Sequence, residues 1–168
     1  MEENKKEQGI TLIALSVTII VLLIIAGISV YSGKDIIKKG KLEELRTNML
    51  LVQVKARETV EQANFKMGPN PDETKKAEVR TEVYETEAKL KKVSDLGIIV
   101  PSGANSADCY AVTEEALQNW GLNKIELSDG EYYIIEFDDT NAKVEIYNTL
   151  GYSNNGTMVY SLTQIDNI

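Results

Sequence analysis

A long apolar stretch near the start of the chain dominates its hydrophobic pattern. No charged residue occurs between Gln8 and Gly33, and isoleucine, leucine and valine prevail from Ile10 to Tyr31. A helix rises about 1.5 Å per residue, so this stretch extends roughly 33 Å, enough to cross the hydrocarbon core of a bilayer. Backbone groups in lipid must bond within their own segment, so residues 10–33 are predicted to form a transmembrane helix. Four hydroxyl side chains in it can bond back to the preceding turn: Thr11, Ser16, Thr18 and Ser29.

Residues 34–66 carry a single apolar stripe among charged residues. Its members follow the spacing of one side of an α-helix: Leu42, Leu45, Met49, Val52, Ala56 and Ala63. We therefore predict an amphipathic continuation of the first helix, ending near Phe65. The change from leucine to alanine along the stripe favours packing against a close surface over a long coiled coil.

Residues 67–97 are predicted to form a connecting loop and a second helix. Gly68, Pro69 and Pro71 cannot continue a helix. Asn70 is predicted to cap the second helix, with Glu73 completing a capping box. This helix is predicted to end near Gly97 and to carry four apolar residues on one face: Val79, Val83, Leu90 and Val93.

Residues 98–168 have the pattern of a small α+β head. Residues 98–101 are predicted to form a short strand or extended piece, and Thr113 to begin a short helix that stops at Gly121. Alternating apolar positions in residues 131–137 and 143–147 predict a hairpin, and Asn155-Gly156 predicts a turn before a last strand. The predicted fold is therefore α+β, with a long N-terminal helix packed on a small antiparallel sheet.

Charge and composition narrow the chemistry of the chain. The net charge is -8, and the part from Asp95 to the end has twelve acidic residues against Lys124 and Lys143. Such a surface repels phosphate backbones, so no nucleic acid is expected as a partner. The chain has no histidine and one cysteine, which excludes intrachain disulfides and Cys/His zinc sites or nucleophile pairs.

No catalytic residue, cofactor or metal is predicted, and the chain is not expected to be an enzyme. Cys109 is interpreted as a small buried residue, and the head tyrosines as facing the sheet core or a neighbouring subunit. Asp138, Asp139 and Asn141 lack the spacing of a calcium loop and are interpreted as a polar turn.

The junction before the apolar stretch resembles a known processing signal. A short charged leader that ends with Lys5-Lys6-Glu7-Gln8-Gly9 is followed directly by Ile10-Thr11-Leu12-Ile13. This arrangement resembles the type IV prepilin signal of the pilin and pseudopilin family. The resemblance implies that a prepilin peptidase removes residues 1–9 by cutting after Gly9, and that Ile10 becomes a methylated N-terminus. The helix beginning Ile10, Thr11, Leu12, Ile13 and Ala14 would then remain as the assembly element.

Ala14 departs from the family pattern. The family usually has glutamate at this place, where its carboxylate neutralises the amino terminus of an adjacent subunit. An unpaired ammonium in an apolar core costs several kcal/mol by order of magnitude. The departure therefore favours a minor subunit over the major subunit of a homopolymer.

The resemblance implies a structural subunit of a type IV pilus or of a type II secretion pseudopilus. Its partners would be the peptidase, other pilin subunits and membrane lipid, with the head outside the cytoplasm. The alternative is an extracytoplasmic binding or sensor module that is anchored by one helix and does not polymerise. The basic residues flanking the apolar stretch, more numerous after it than before it, would by themselves place the head in the cytoplasm.

Overall fold

The computed structural model describes the backbone of residues 3–101, 104, 109–138 and 143–168. Within these ranges it leaves out the side chains of residues 3–14, 16, 17, 24–35 and 138. Two compact units make up the chain, Met1–Lys41 and Leu42–Ile168. No helix among the described residues is both long and apolar enough to cross a membrane. Most side chains of the predicted transmembrane segment, residues 10–33, are not among the described ones.

Helix α1 comprises Glu3–Met67. It includes the predicted helical range from Ile10 to about Phe65 and begins seven residues before it. It ends at Gly68, whose φ of 70° is left-handed and open to glycine at little cost. The Gly68 N–H still donates to the Asn64 carbonyl at 3.2 Å, which satisfies one of the last carbonyls of the helix.

The predicted cap of the second helix was wrong by two residues. Asn70 has a φ of 57°, whereas an N-cap residue requires an extended backbone. Asp72 has that conformation and accepts a hydrogen bond from the Lys75 N–H at 2.7 Å, so α2 comprises Glu73–Arg80.

The single second helix was also wrong, because the segment forms four short elements. After α2 come a π-helix at Thr81–Glu87, β1 at Lys91–Lys92 and α3 at Val93–Leu96. Lys89 has a left-handed φ of 62°, which a continuing helix excludes. The predicted end near Gly97 does not hold for this helix, because the helical run that begins at Glu73 ends at Glu87, and Gly97 caps α3 instead. The four predicted apolar residues are all buried, and Leu90 lies in the loop before β1.

A five-stranded antiparallel sheet forms the centre of the second unit. Its remaining strands are β2 at Cys109–Val112, β3 at Tyr133–Asp138, β4 at Lys143–Asn154 and β5 at Thr157–Ser161. The strands lie in chain order, so each pairs with the next. The predicted hairpin is confirmed as β3 and β4, with Ile135 opposite Ile146. The residues predicted to link the two strands were 138–141; Asp138 ends β3, and the other three lie outside the described residues.

The two faces of the sheet are covered differently. One face carries Tyr133, Ile135 and Phe137 into the main core, together with the buried stripe of α1. The other face, with Ala111 and Ile134, is packed by α3 and the segment after it. The second unit therefore has a helix layer, the sheet and a thin outer layer.

Residues 98–101 do not join the sheet, contrary to one predicted form. Ile98 and Val100 pack instead on its second face, while Ile99 is 90% exposed. On the side away from β4, β3 pairs with β2, a strand that the sequence did not predict.

The short helices of the head follow local capping signals. The predicted helix after Thr113 is confirmed as α4 at Glu114–Asn119, and the Thr113 hydroxyl accepts from the Ala116 N–H. The final helix, α5 at Leu162–Ile165, begins with a capping box made by Ser161 and Gln164.

The predicted turn at Asn155-Gly156 joins β4 to β5, and both residues have positive φ. Upstream, the buried Asn148 side chain accepts from the N–H groups of Leu150 and Gly151 and shapes an irregularity in β4. The Tyr160 ring lies against Gly151 so closely that a Cβ there would meet it at 2.6 Å.

Candidate functional site: the first helix

The residues of the predicted processing and assembly signal all lie in one stretch of α1. They are Gly9, Ile10, Thr11, Leu12, Ile13 and Ala14. Their backbone is helical, and their side chains lie outside the described ones. These six positions therefore follow one another along a single helix.

The described apolar side chains of the following turns are exposed around the helix. Leu15 and the five residues 19–23 each have between 46% and 67% of their side-chain surface exposed. Successive helical residues are separated by about 100°, so five in a row point to every side of the helix. A helix that is apolar all round normally lies inside a protein core or a membrane.

One of the predicted hydroxyl bonds in this region is confirmed. The Thr18 Oγ1 donates to the Leu15 carbonyl at 2.8 Å. The hydroxyl is thereby satisfied within the helix, so Thr18 is compatible with apolar surroundings.

The part of α1 within the second unit is amphipathic as predicted. Met49, Val52, Ala56 and Ala63 are completely buried, and Leu42 and Leu45 pack at the edge of the same core. The small side chains of Ala56 and Ala63 let the helix backbone lie close to its neighbours.

Polar contacts join this part of α1 to other elements of the second unit. Arg46 Nε lies 2.7 Å from Asp166 Oδ1, and Lys66 Nζ lies 2.8 Å from Glu82 and 2.6 Å from Glu87. Hydrogen bonds to Glu82 and, to a smaller extent, to Glu87 raise the pKa of Lys66. Exposed pairs of this kind contribute little to stability, so they orient the helix while the buried stripe holds it.

Sequence reasoning missed a set of exposed apolar residues on the same part of α1. Leu50, Leu51 and Val54 are exposed, and Phe65 is 88% exposed. They are separated from the stripe by one or two positions, so a helical projection drawn around the stripe would have placed them on other sides. This surface is available for contact with a further molecule.

Several aromatic residues of the second unit pack against one another in its core. Tyr84 stacks on Phe137 with ring centroids 4.4 Å apart, and Tyr110 meets Tyr84 edge-on at 5.3 Å. Burial raises the pKa of Tyr84 and of Tyr133 to about 12. The pKa of Tyr147 is also raised, mainly by burial and to a smaller extent by the hydrogen bond to Glu136. These groups are neutral at physiological pH and pack as aromatic residues.

Cys109 and the acidic turn are the other candidate groups in the head. Cys109 is buried, as predicted. The side chains of the possible calcium turn, Asp138, Asp139 and Asn141, lie outside the described ones. Among the described residues, no three acidic or cysteine side chains are placed to hold a metal ion.

No protein-family model matches the chain, and no match was found among curated proteins or solved structures.

Proposed function

We propose that this chain is a structural subunit of a filament that is assembled from the membrane, a type IV pilus or a type II secretion pseudopilus. The observation that carries the proposal is the apolar helix of residues 10–33, whose described side chains between 15 and 23 are exposed in every direction. Burying them requires lipid before assembly and like helices after it. The proposed membrane helix is a single pass, with the head outside the cytoplasm.

The same helix would serve both stages. Its apolar segment would lie in the bilayer and then in a bundle of equivalent helices, while its amphipathic part remains fixed to the head by the buried stripe. Cleavage after Gly9 by a prepilin peptidase would remove the five charged residues that precede the apolar segment: Glu2, Glu3, Lys5, Lys6 and Glu7. A helix without those charges costs less to transfer into an apolar bundle.

A second candidate function is a membrane-anchored module that does not polymerise. Ala14 favours it, because no acidic residue occurs between Ile10 and Gly33 to neutralise a new amino terminus in a helix bundle. Neither candidate is proposed to be an enzyme.

The mass of the mature chain distinguishes the two functions. Mass spectrometry of protein isolated from host membranes is expected to find a chain that begins at Ile10 with a methylated amine. Gly9→Val is expected to leave the leader in place, whereas the control Gly33→Val, in the same helix, leaves cleavage intact. A wild-type chain that still begins at Met1 would contradict the filament proposal and support the anchored module.

A further inference from the structure

Two surfaces of opposite charge occur in different parts of the chain. The first, which we call the collar, is residues 36–41 of α1, with the sequence IIKKGK. All of its residues are exposed, including Lys39 and Lys41, and it contains no acidic residue. Its lysine side chains have apolar stems and charged ends.

The second surface is a groove of about 540 Å³ in the head. Its walls come from α4, through Glu114, Leu117 and Gln118, and from the segment after it, through Ile125, Glu126 and Leu127. Leu117 and Ile125 form an apolar floor, while the carboxylates of Glu114 and Glu126 are exposed. An apolar floor with carboxylates at the rim fits the stem and the ammonium of a lysine.

Several acids of the second unit form ion pairs with basic side chains. Glu58, Glu73, Glu82, Glu87 and Asp166 each lie within 2.8 Å of a basic side chain of the same chain. Within the described part of the chain, neither Glu114 nor Glu126 is in an ion pair. Lys124 is the sole basic residue between positions 93 and 142, and it does not line the groove.

We propose that the groove of one copy receives the collar of another copy, and this proposal rests on the proposed function as a filament subunit. The charges are complementary, so such a contact is attractive, whereas the head surfaces alone, with their excess of acids, repel each other. Each copy has one collar and one groove, so the contact joins unlike surfaces. A contact of that kind leaves a free collar and a free groove at the two ends, and it propagates into an open chain of subunits.

Charge exchange between two variants tests the contact. The collar variant is Lys39→Glu with Lys41→Glu, and the groove variant is Glu114→Lys with Glu126→Lys. Self-association of the full chain in neutral detergent at low ionic strength is expected to weaken about tenfold or more for each variant alone. Mixing the two variants is expected to restore association, because each then meets a surface of opposite charge.

The control variant is Glu61→Lys with Glu78→Lys, which makes the same charge change at exposed positions outside the groove. It is expected to associate within about threefold of the wild type. Glu126→Lys alone, which leaves α4 unchanged, is expected to give an intermediate loss. For the wild type, association is expected to weaken in 0.5 M salt, on the order of the loss seen for the single variants, since salt screens exposed charges.

Three outcomes would overturn the proposal. In the first, mixing the variants fails to restore association, or the control variant weakens it equally. In the second, reversing the collar abolishes binding to vesicles containing phosphatidylglycerol, while reversing the groove leaves self-association unchanged; the collar then serves lipid headgroups. In the third, the wild type does not associate at any salt concentration. Each of these outcomes leaves the proposed function standing, because that function is tested separately by the mass of the mature chain.

Discussion

Tyr84 combines a buried side chain with an unsatisfied hydroxyl. Its side chain is 1% exposed, and the hydroxyl has no hydrogen-bond partner within the described part of the chain. It lies within the π-helix Thr81–Glu87, an element that is rare in proteins. The stacking of its ring on Phe137 therefore carries the contribution of this residue to the core.

Replacing Tyr84 by phenylalanine is expected to leave the head as stable as before or to stabilise it by about 1 kcal/mol. The substitution keeps the ring and removes a buried polar group that gains nothing from its surroundings. The free energy of unfolding from urea titrations measures the effect. Tyr147→Phe is the control, since its hydroxyl donates to Glu136 at 2.9 Å, and it is expected to cost about 1 to 2 kcal/mol. A loss of the same size in both variants would show that the Tyr84 hydroxyl is bonded.

Alkaline pH is expected to unfold the head. An unfolded tyrosine has a pKa near 10, whereas the folded pKa of Tyr84 and of Tyr133 is about 12. The stability that comes from keeping these groups neutral is complete below pH 10 and is lost as the pH rises to 12, because the unfolded state releases its protons first. The loss amounts to roughly 2 to 3 kcal/mol for each tyrosine.

Urea titrations at a series of pH values, with tyrosinate absorbance recorded alongside, measure this loss. Tyr84→Phe is expected to reduce the slope of stability against pH between 10 and 12. Ionisation of every tyrosine near pH 10 in a head that stays folded would contradict the assignment.

Elements with a regular burial period were predictable from the sequence. The stripe of α1 and the alternation in β3 and β4 each repeat over several turns or pairs, so the local pattern is enough. The same holds for the Thr113 cap and the Asn155-Gly156 turn, where one residue type has a specific local effect.

Elements that depend on distant contacts were not predictable. All four residues of β2 are buried, because both faces of the sheet are covered there, so no alternation marks this strand. β1 contains only Lys91 and Lys92 and exists through its pairing with β2. The break before it occurs at Lys89, a residue type that does not indicate a left-handed backbone.

The candidate site was predictable only in part. The positions from Gly9 to Ala14 came from a local resemblance, which specifies residues and no geometry. The collar appeared in the sequence merely as flanking lysines, and the groove required α4 to be packed beside a segment that has no regular pattern.

The buried stripe of α1 is expected to carry most of the stability that joins this helix to the head. Val52→Ala is expected to lower the free energy of unfolding by about 2 kcal/mol, because it leaves a cavity beside the sheet. Val54→Ala, two residues along, is the control: Val52 is completely buried and Val54 is 63% exposed, so the control changes stability by less than about 0.5 kcal/mol. Equal losses would mean that a further molecule covers Val54 under the conditions of measurement.

The core belongs entirely to the second compact unit. Among the described residues, the buried apolar side chains begin at Met49 and continue to Ile165, within Leu42–Ile168. The exposed apolar side chains between residues 15 and 23 belong to the first unit. The described core and the exposed apolar side chains of residues 15–23 therefore belong to different units of the chain.

A fragment comprising residues 42–168 is expected to fold cooperatively and to remain monomeric without detergent. It keeps the complete described core and the Arg46–Asp166 pair, and it lacks both the apolar segment and the collar. Near-UV circular dichroism and sedimentation measure packing and mass, with the full chain in detergent as the control. A fragment without fixed aromatic signals would show that the first unit is needed for folding.

The position of Cys109 has a practical consequence for kinetics. This thiol is 2% exposed in β2, opposite Glu136 of β3, and it is the sole cysteine of the chain. A thiol reagent can reach it only when the strand leaves the sheet, so the reaction rate in excess reagent equals the frequency with which the head opens. The unmodified protein thus reports how often its own sheet comes apart, with no engineered label.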